Sequence, residues 1–216
     1  MKAIFSSLLI SFFILLPISA QNNDDYTKVL TERADKIVKT LEISDTEGYN
    51  RVVNALVSQY KGLGEINDNT ANRRKEIKET ITDKAAQEIA LAALENESKA
   101  KLYDLQCVFI GDLAVDLTND QIEKVKDGMT YGVVKVTYES YQDMIPSLKP
   151  EEKRQIYAWL VEAREHAISA SSSKDKHGWF GKYKGRINNY LSKQGYDTQA
   201  ERKAWEERVK ARGGTL

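Results

Sequence analysis

Beyond residue 20 this chain holds almost nothing that stops a helix. Its only prolines there are Pro146 and Pro150, and its first glycine is Gly48. Proline costs about 3 kcal/mol in a helix interior and glycine about 1, so a chain this poor in both early on is free to run long helices. The apolar spacing agrees. Val29, Leu30, Ala34, Ile37, Val38 and Leu41 mark a first amphipathic helix. Ser44-x-x-Glu47 reads as a capping box that opens a second, in which each side chain satisfies a free amide of the other. Val52, Val53, Leu56, Val57 and Tyr60 carry that helix to a stop near Gly62 and Gly64, and Glu65 to Thr70 reads as a loop. Ile77, Ile81, Ala85, Ile89 and Ala92 form a third stripe. Leu102 to Leu117 is apolar almost all round, which predicts a central buried helix with Asp112 and Asp116 on one face, at the rim or paired with a base.

Thr118-x-x-Gln121 predicts another capped helix start, running through Lys126. The β-branched residues Val133, Val134 and Val136 make Met129 to Tyr138 the most strand-like stretch. Pro150 suits a first helical turn, where a missing amide donor costs nothing. That helix runs to about Ile168 and buries Ile156, Trp159, Leu160 and Ala163. Ser169 to Lys176 reads as a polar loop. A helix from about Trp179 to Gln194 ends at Gly195, and Asp197 or Thr198 starts the last. The fold class is therefore all-α: a single-domain multi-helix bundle over 21–216, with one short extended segment near 130–138.

The first twenty residues read as a secretory signal peptide cut after Ala20. They give a Lys2 start, an apolar core from Leu8 to Leu16, Pro17 and a small residue at the cut. The mature protein is then expected outside the inner membrane, periplasmic or extracellular, with no stable membrane anchor after cleavage. Cys107 would have no intramolecular partner in that oxidising compartment. Its neighbours Leu105, Val108, Phe109 and Ile110 make it read as a small buried hydrophobe. One cysteine excludes a disulfide scaffold or a multi-cysteine metal site, and His166 and His177 match no metal motif, so neither metal nor cofactor is expected.

Charge balances overall, at 32 Lys+Arg against 32 Asp+Glu, but it is unevenly spread. Residues 21–173 form an acidic body of net −7, and residues 174–216 a basic quarter of net +6. Such a field can steer an anionic ligand. The neutral whole and the export signal argue against nucleic acid. Enzyme signatures are missing: no Gly-x-Ser-x-Gly, phosphate-binding Gly-Lys loop or His-Glu-x-x-His occurs. Glu162 and Glu165 share a helical face, a common pairing in a chain with 30% charged residues. The sequence leans against catalysis without excluding it.

The densest chemical signal is 177–191, which interleaves aromatics, bases and amides. Flat aromatic faces suit sugar C–H surfaces, and planar amide or guanidinium groups suit hydroxyl pairs or a carboxylate. The candidate ligand contacts are His177, Trp179, Tyr183, Lys184, Arg186, Asn188, Asn189 and Tyr190. Against them stands helical spacing, which allows Tyr183, Ile187, Tyr190 and Leu191 to be core.

The run Phe180-Gly181-Lys182-Tyr183-Lys184-Gly185-Arg186-Ile187-Asn188-Asn189-Tyr190-Leu191 with Gly195-Tyr196-Asp197 resembles the C-terminal signature of an exported bacterial helical family. That family has no established function and has been described as sugar-binding. Ser171-Ser172, Lys176-His177, Glu162-Ala163-Arg164-Glu165 and Lys126-Asp127-Gly128-Met129-Thr130-Tyr131-Gly132 resemble it too. The resemblance implies a carbohydrate-binding or carbohydrate-utilisation accessory protein, with acidic sugars among its ligands. Leu117-Thr118-x-x-Gln121 is also similar to an element of small helical periplasmic chaperones, which implies a client-binding or envelope-stress role instead. A third reading, a polysaccharide lyase or hydrolase, would draw on Tyr183 or Tyr190 with Lys184 or Arg186.

Overall fold

The computed structural model describes residues 18–213, with side chains described from residue 24. The expected export signal falls, up to Pro17, outside the described residues. Eight helices follow in order: α1 (Ile18–Val38), α2 (Thr46–Thr80), α3 (Lys84–Asp116), α4 (Asn119–Met129), α5 (Val133–Met144), α6 (Pro150–Ala167), α7 (Ser173–Lys193) and α8 (Thr198–Ala211). No strand occurs among the described residues.

A long antiparallel hairpin of α2 and α3 is the spine. At 35 and 33 residues, each helix is about 50 Å long. Asp45, not Ser44, caps α2, its carboxylate accepting from the Glu47 and Gly48 amides. Gly62 does not end that helix: it lies where α2 meets α3, so close that an added Cβ would stand 2.8 Å from Leu105 Cδ1. Glu65 to Thr70 is helix rather than loop. Asn67 Nδ2 and Thr70 Oγ1 donate to the carbonyls of Leu63 and Ile66, one turn back. Two poor helix formers are thereby satisfied without leaving the helix. The stripe from Ile77 to Ala92 straddles the hairpin turn, because α2 ends at Thr80 and Asp83 caps α3.

The predicted extended segment near 130–138 is helical from Val133. β-branching costs only tenths of a kcal/mol per helical residue, while α5 buries Val134, Thr137 and Tyr141 at three- and four-residue steps. The break falls just before it, where Tyr131 and Gly132 both adopt positive φ, 60° and 66°. The polar serine run also contributes helix: Ser172 caps α7, which starts six residues earlier than the apolar spacing suggests. The capping box of Thr118 and Gln121 forms as expected, as does Pro150 in the first turn of α6.

Two apolar clusters result. The first joins α1, α2, the C-terminal half of α3, and α4, through Leu30, Val38, Leu56, Phe109, Leu113 and Val125. The second joins α5, α6 and α7 through Tyr141, Ile156, Leu160, Phe180, Ile187 and Leu191. α8 lies against α5 and α7. Its Arg208 donates to the carbonyls of Asp143 and Met144 at the end of α5 (2.9 and 3.0 Å), and its Trp205 Nε1 to Asp143 (2.7 Å). The two Arg208 bonds satisfy carbonyls that a helix C-terminus leaves open, while Trp205 bonds the Asp143 carboxylate. Glu152, buried in the first turn of α6, accepts from the Lys149 amide and from Tyr196 Oη (2.8 and 2.7 Å).

Polar ties bridge the two clusters. Arg164 of α6 reaches Asp127 (2.8 Å) and Glu123 on α4. Lys126 meets Glu165 (3.2 Å), and Lys176 of α7 donates to the Met129 carbonyl (2.8 Å). Asp116 pairs with Arg51 at 2.6 Å, while Asp112 is exposed. The C-terminal part of α3 is not buried all round: Phe109 and Leu113 point inward, but Val108 and Val115 are exposed. Cys107 is likewise exposed rather than buried. A two-helix spine has one covered side, and a sequence apolar on both does not say which is covered.

Candidate functional site

Helical geometry divides the predicted ligand contacts among different surfaces of α7. Residues four apart share a face, and neighbours do not. Tyr183 belongs to the core with Phe180, Ile187 and Leu191, each fully buried side chain contributing about 1.5–3 kcal/mol. Burial, then the Glu162 carboxylate, pushes the Tyr183 phenol up to about 12, which makes it a poor proton acceptor at neutral pH. His177 stacks on Tyr131 (5.6 Å) and hydrogen-bonds the Ser173 carbonyl through Nδ1 (2.8 Å). Trp179 stacks on His166 at 4.3 Å, with Lys182 over its ring at 5.0 Å.

Arg186, Asn189 and Tyr190 share one shallow groove of about 620 Å³ with Trp159 of α6. Tyr190 meets Trp159 edge to face at 5.2 Å. Arg186 lies 4.6 Å over the Trp159 ring and 3.3 Å from Glu162, so its charge is partly answered from within the protein.

Lys184 and Asn188 face the other way, one turn apart, into a cleft of about 330 Å³ between α5, α7 and α8. That is the lower end of the range for small-ligand sites, roughly 300–1,000 Å³. Thr137, Ser140 and Tyr141 come from α5; Thr198, Gln199, Arg202 and Trp205 come from α8. Tyr141 Oη donates to Asn188 Oδ1 at 2.8 Å, which leaves the amide NH2 of Asn188 as a donor. Burial pushes the Tyr141 phenol up to about 12, so it remains protonated at neutral pH. The lining holds two cations, Lys184 and Arg202, and no carboxylate. Arg202 donates Nε to Glu206 at 3.0 Å, which leaves its terminal nitrogens available. Asp143 just outside is occupied by Arg212 and Trp205, which hold its carboxyl below the usual range.

The cleft thus combines hydroxyls, amides, two cations and an indole. That set can take a small, hydroxyl-rich anion through charge-assisted and neutral hydrogen bonds. Sequence reading found Lys184 and Asn188 but missed the walls. The signal was present as spacing: Thr198, Arg202 and Trp205, and Thr137, Tyr141 and Met144, each recur at three- to four-residue steps. Only the tertiary fold tells that these stripes face each other.

Among the described residues, no group of three or more His, Cys, Asp or Glu is placed to hold a metal ion. No described helix is long and apolar enough to cross a membrane. None of the curated proteins matches the chain. Residues 27–211 match the family described as protein of unknown function (DUF3826), and the chain belongs to that family.

Proposed function

We propose that the protein is an exported carbohydrate-binding accessory protein and that its ligand is a small acidic sugar unit held in the cleft between α5, α7 and α8. The observation that carries this reading is the lining of that cleft: Lys184 and Arg202, the latter partly answered by Glu206, with no carboxylate in the lining, among hydroxyls and amides and beside Trp205. Lys184 and Arg202 flank the sugar carboxylate. Asn188, Gln199 and Ser140 meet ring hydroxyls, and Trp205 offers an apolar face. Binding rather than turnover fits best, since the cleft lining lacks the paired carboxylates that glycoside hydrolysis uses. Its one tyrosine is held protonated.

Titration calorimetry with uronate-containing and neutral oligosaccharides tests this. Uronates should bind, and Lys184→Met and Asn188→Ala should each weaken binding about tenfold, the effect of one lost charge-assisted or well-placed hydrogen bond. Arg186→Ala, on the opposite face of α7, should leave affinity unchanged. If Arg186→Ala weakens binding and Lys184→Met does not, the ligand lies in the Trp159–Tyr190 groove instead. No binding of either sugar class sinks the reading.

A further inference from the structure

A cleft of about 890 Å³ opens between the α2–α3 hairpin and the turn from α6 into α7, near the upper end of the range for small-ligand sites. Its two walls each carry an aromatic ring. On α7, Trp179 is half-buried and backed by His166, stacked 4.3 Å away and 13° from parallel. On α3, Tyr103 is 68% exposed and packs on no other ring among the described residues. Leu102 and Ala170 add apolar lining. Ser169 Oγ donates to Gln106 Oε1 at 2.8 Å, which leaves the Gln106 NH2 as a donor. Gly178 lines the same cleft beside Trp179. It stands in the interior of α7, where glycine weakens a helix relative to alanine. No packing in the fold requires it, since an added Cβ would meet no atom within 4 Å. The bare backbone leaves room for a ring lying against Trp179.

Charge in the cleft favours an acid. Of its three carboxylates, Glu95 pairs with Arg74 at 3.0 Å, and Glu165 with Lys126 and Arg164, both at 3.2 Å. Asp175 accepts from Ser172 Oγ at 2.6 Å in the first turn of α7, where the helix dipole suits a negative charge. Lys174 and Lys182 line the cleft and pair with no carboxylate among the described residues. The Lys182 ammonium lies 5.0 Å over the Trp179 ring. An exposed cation–π contact is weak, so this lysine can turn to a ligand at little cost. We infer that the cleft binds an aromatic carboxylate, its flat ring between Tyr103 and Trp179 and its acid group toward Lys174 and Lys182. Paired aromatic walls reward a flat ring through stacked or edge contacts. The site is separate from the cleft that Lys184 and Asn188 serve on another side of α7, and it stands or falls independently of the sugar reading.

Titration calorimetry with naphthoate as the probe tests this. Binding with Kd of about 100 µM is expected for a small, well-covered ligand. Naphthalenemethanol lacks the acid and cyclohexanecarboxylate lacks the flat ring, and each should bind about tenfold more weakly. Tyr103→Ala should weaken naphthoate about fivefold, the effect of one aromatic contact. Gly178→Leu should fill the cleft and weaken binding more than tenfold, while raising the urea midpoint, because leucine is the better helix former. Lys184→Met should change nothing. If Gly178→Leu alters the circular dichroism spectrum, Tyr103→Ala decides alone, since that side chain is mostly exposed. No heat with naphthoate overturns the inference. So does binding that survives both cleft variants unchanged, that is lost in Lys184→Met, or that is equal for naphthoate and cyclohexanecarboxylate.

Discussion

Replacing Arg164 by alanine should lower the unfolding free energy by about 3 kcal/mol, toward the lower end of the range for breaking a buried ion pair. The side chain is only 3% exposed. Its guanidinium bonds Asp127 and Glu123 on α4, with Glu165 at 3.2 Å on its own helix. Burial alone would depress its pKa, but the Asp127 and Glu123 carboxylates raise it well above the ordinary arginine value, so the charge persists at any accessible pH. Truncation removes a cation on which two helices converge and leaves a void where its stem packed. The effect stays near the lower bound because the stranded acids are 40–48% exposed and can turn to water. Arg164→Met keeps the volume and should recover part of the loss; with Glu123→Gln and Asp127→Asn it should recover most. Urea midpoints read this directly. A loss under about 1 kcal/mol for Arg164→Ala would mean that apolar contact alone holds the two clusters together.

What the sequence made legible follows from how far each signal reaches along the chain. Capping is local, so Thr118 with Gln121, Pro150, Gly195 and Asp197 mark helix ends where they were read. Continuity is not local. Gly62 and Asn67 look like a helix end followed by a loop until α3 lies alongside α2 and the packing overrides their weak preferences. Val133 to Val136 look extended until α6 and α7 supply a surface that rewards a helical face. Partnership between faces is the least legible. The run from His177 to Tyr190 is dense in binding chemistry, yet its helical phase gives Tyr183 to the core, Arg186 and Tyr190 to a groove, and Lys184 with Asn188 to a cleft. The far wall of that cleft comes from α5 and α8. Cys107 shows the same limit from the other side: its apolar neighbours predict burial, and the structure exposes them in part because only one side of α3 is covered.

Lys176 sets the second large effect, and it appears as a pH dependence. This lysine is 5% exposed. Its ammonium donates to the Met129 carbonyl at the end of α4 and lies 5.6 Å over the Tyr60 ring. Among the described residues no carboxylate contributes to its electrostatics, and Arg33 adds a repelling charge. Burial, then Arg33, pulls its pKa down to about 8 from 10.5. Between these values the unfolded chain binds a proton that the folded protein has released, so stability rises with pH. Below pH 8 both states carry the charge and its burial cost is present in full. The gain across the window is on the order of 3 kcal/mol. The rise ends near pH 10, because burial pushes Tyr60, Tyr141 and Tyr183 up to about 12. The unfolded chain then loses tyrosine protons first, which reverses the slope. Wild-type protein should therefore be most stable near pH 10. Lys176→Met should abolish the rise and be at least as stable as wild type at pH 7, because it removes a buried charge and forfeits one hydrogen bond and the contact with the Tyr60 ring, together about 2 kcal/mol. Urea unfolding at pH 7, 8.5 and 9.5 decides it. A wild-type stability that stays flat or falls from pH 8 to 10 would show that the fold holds this ammonium without cost.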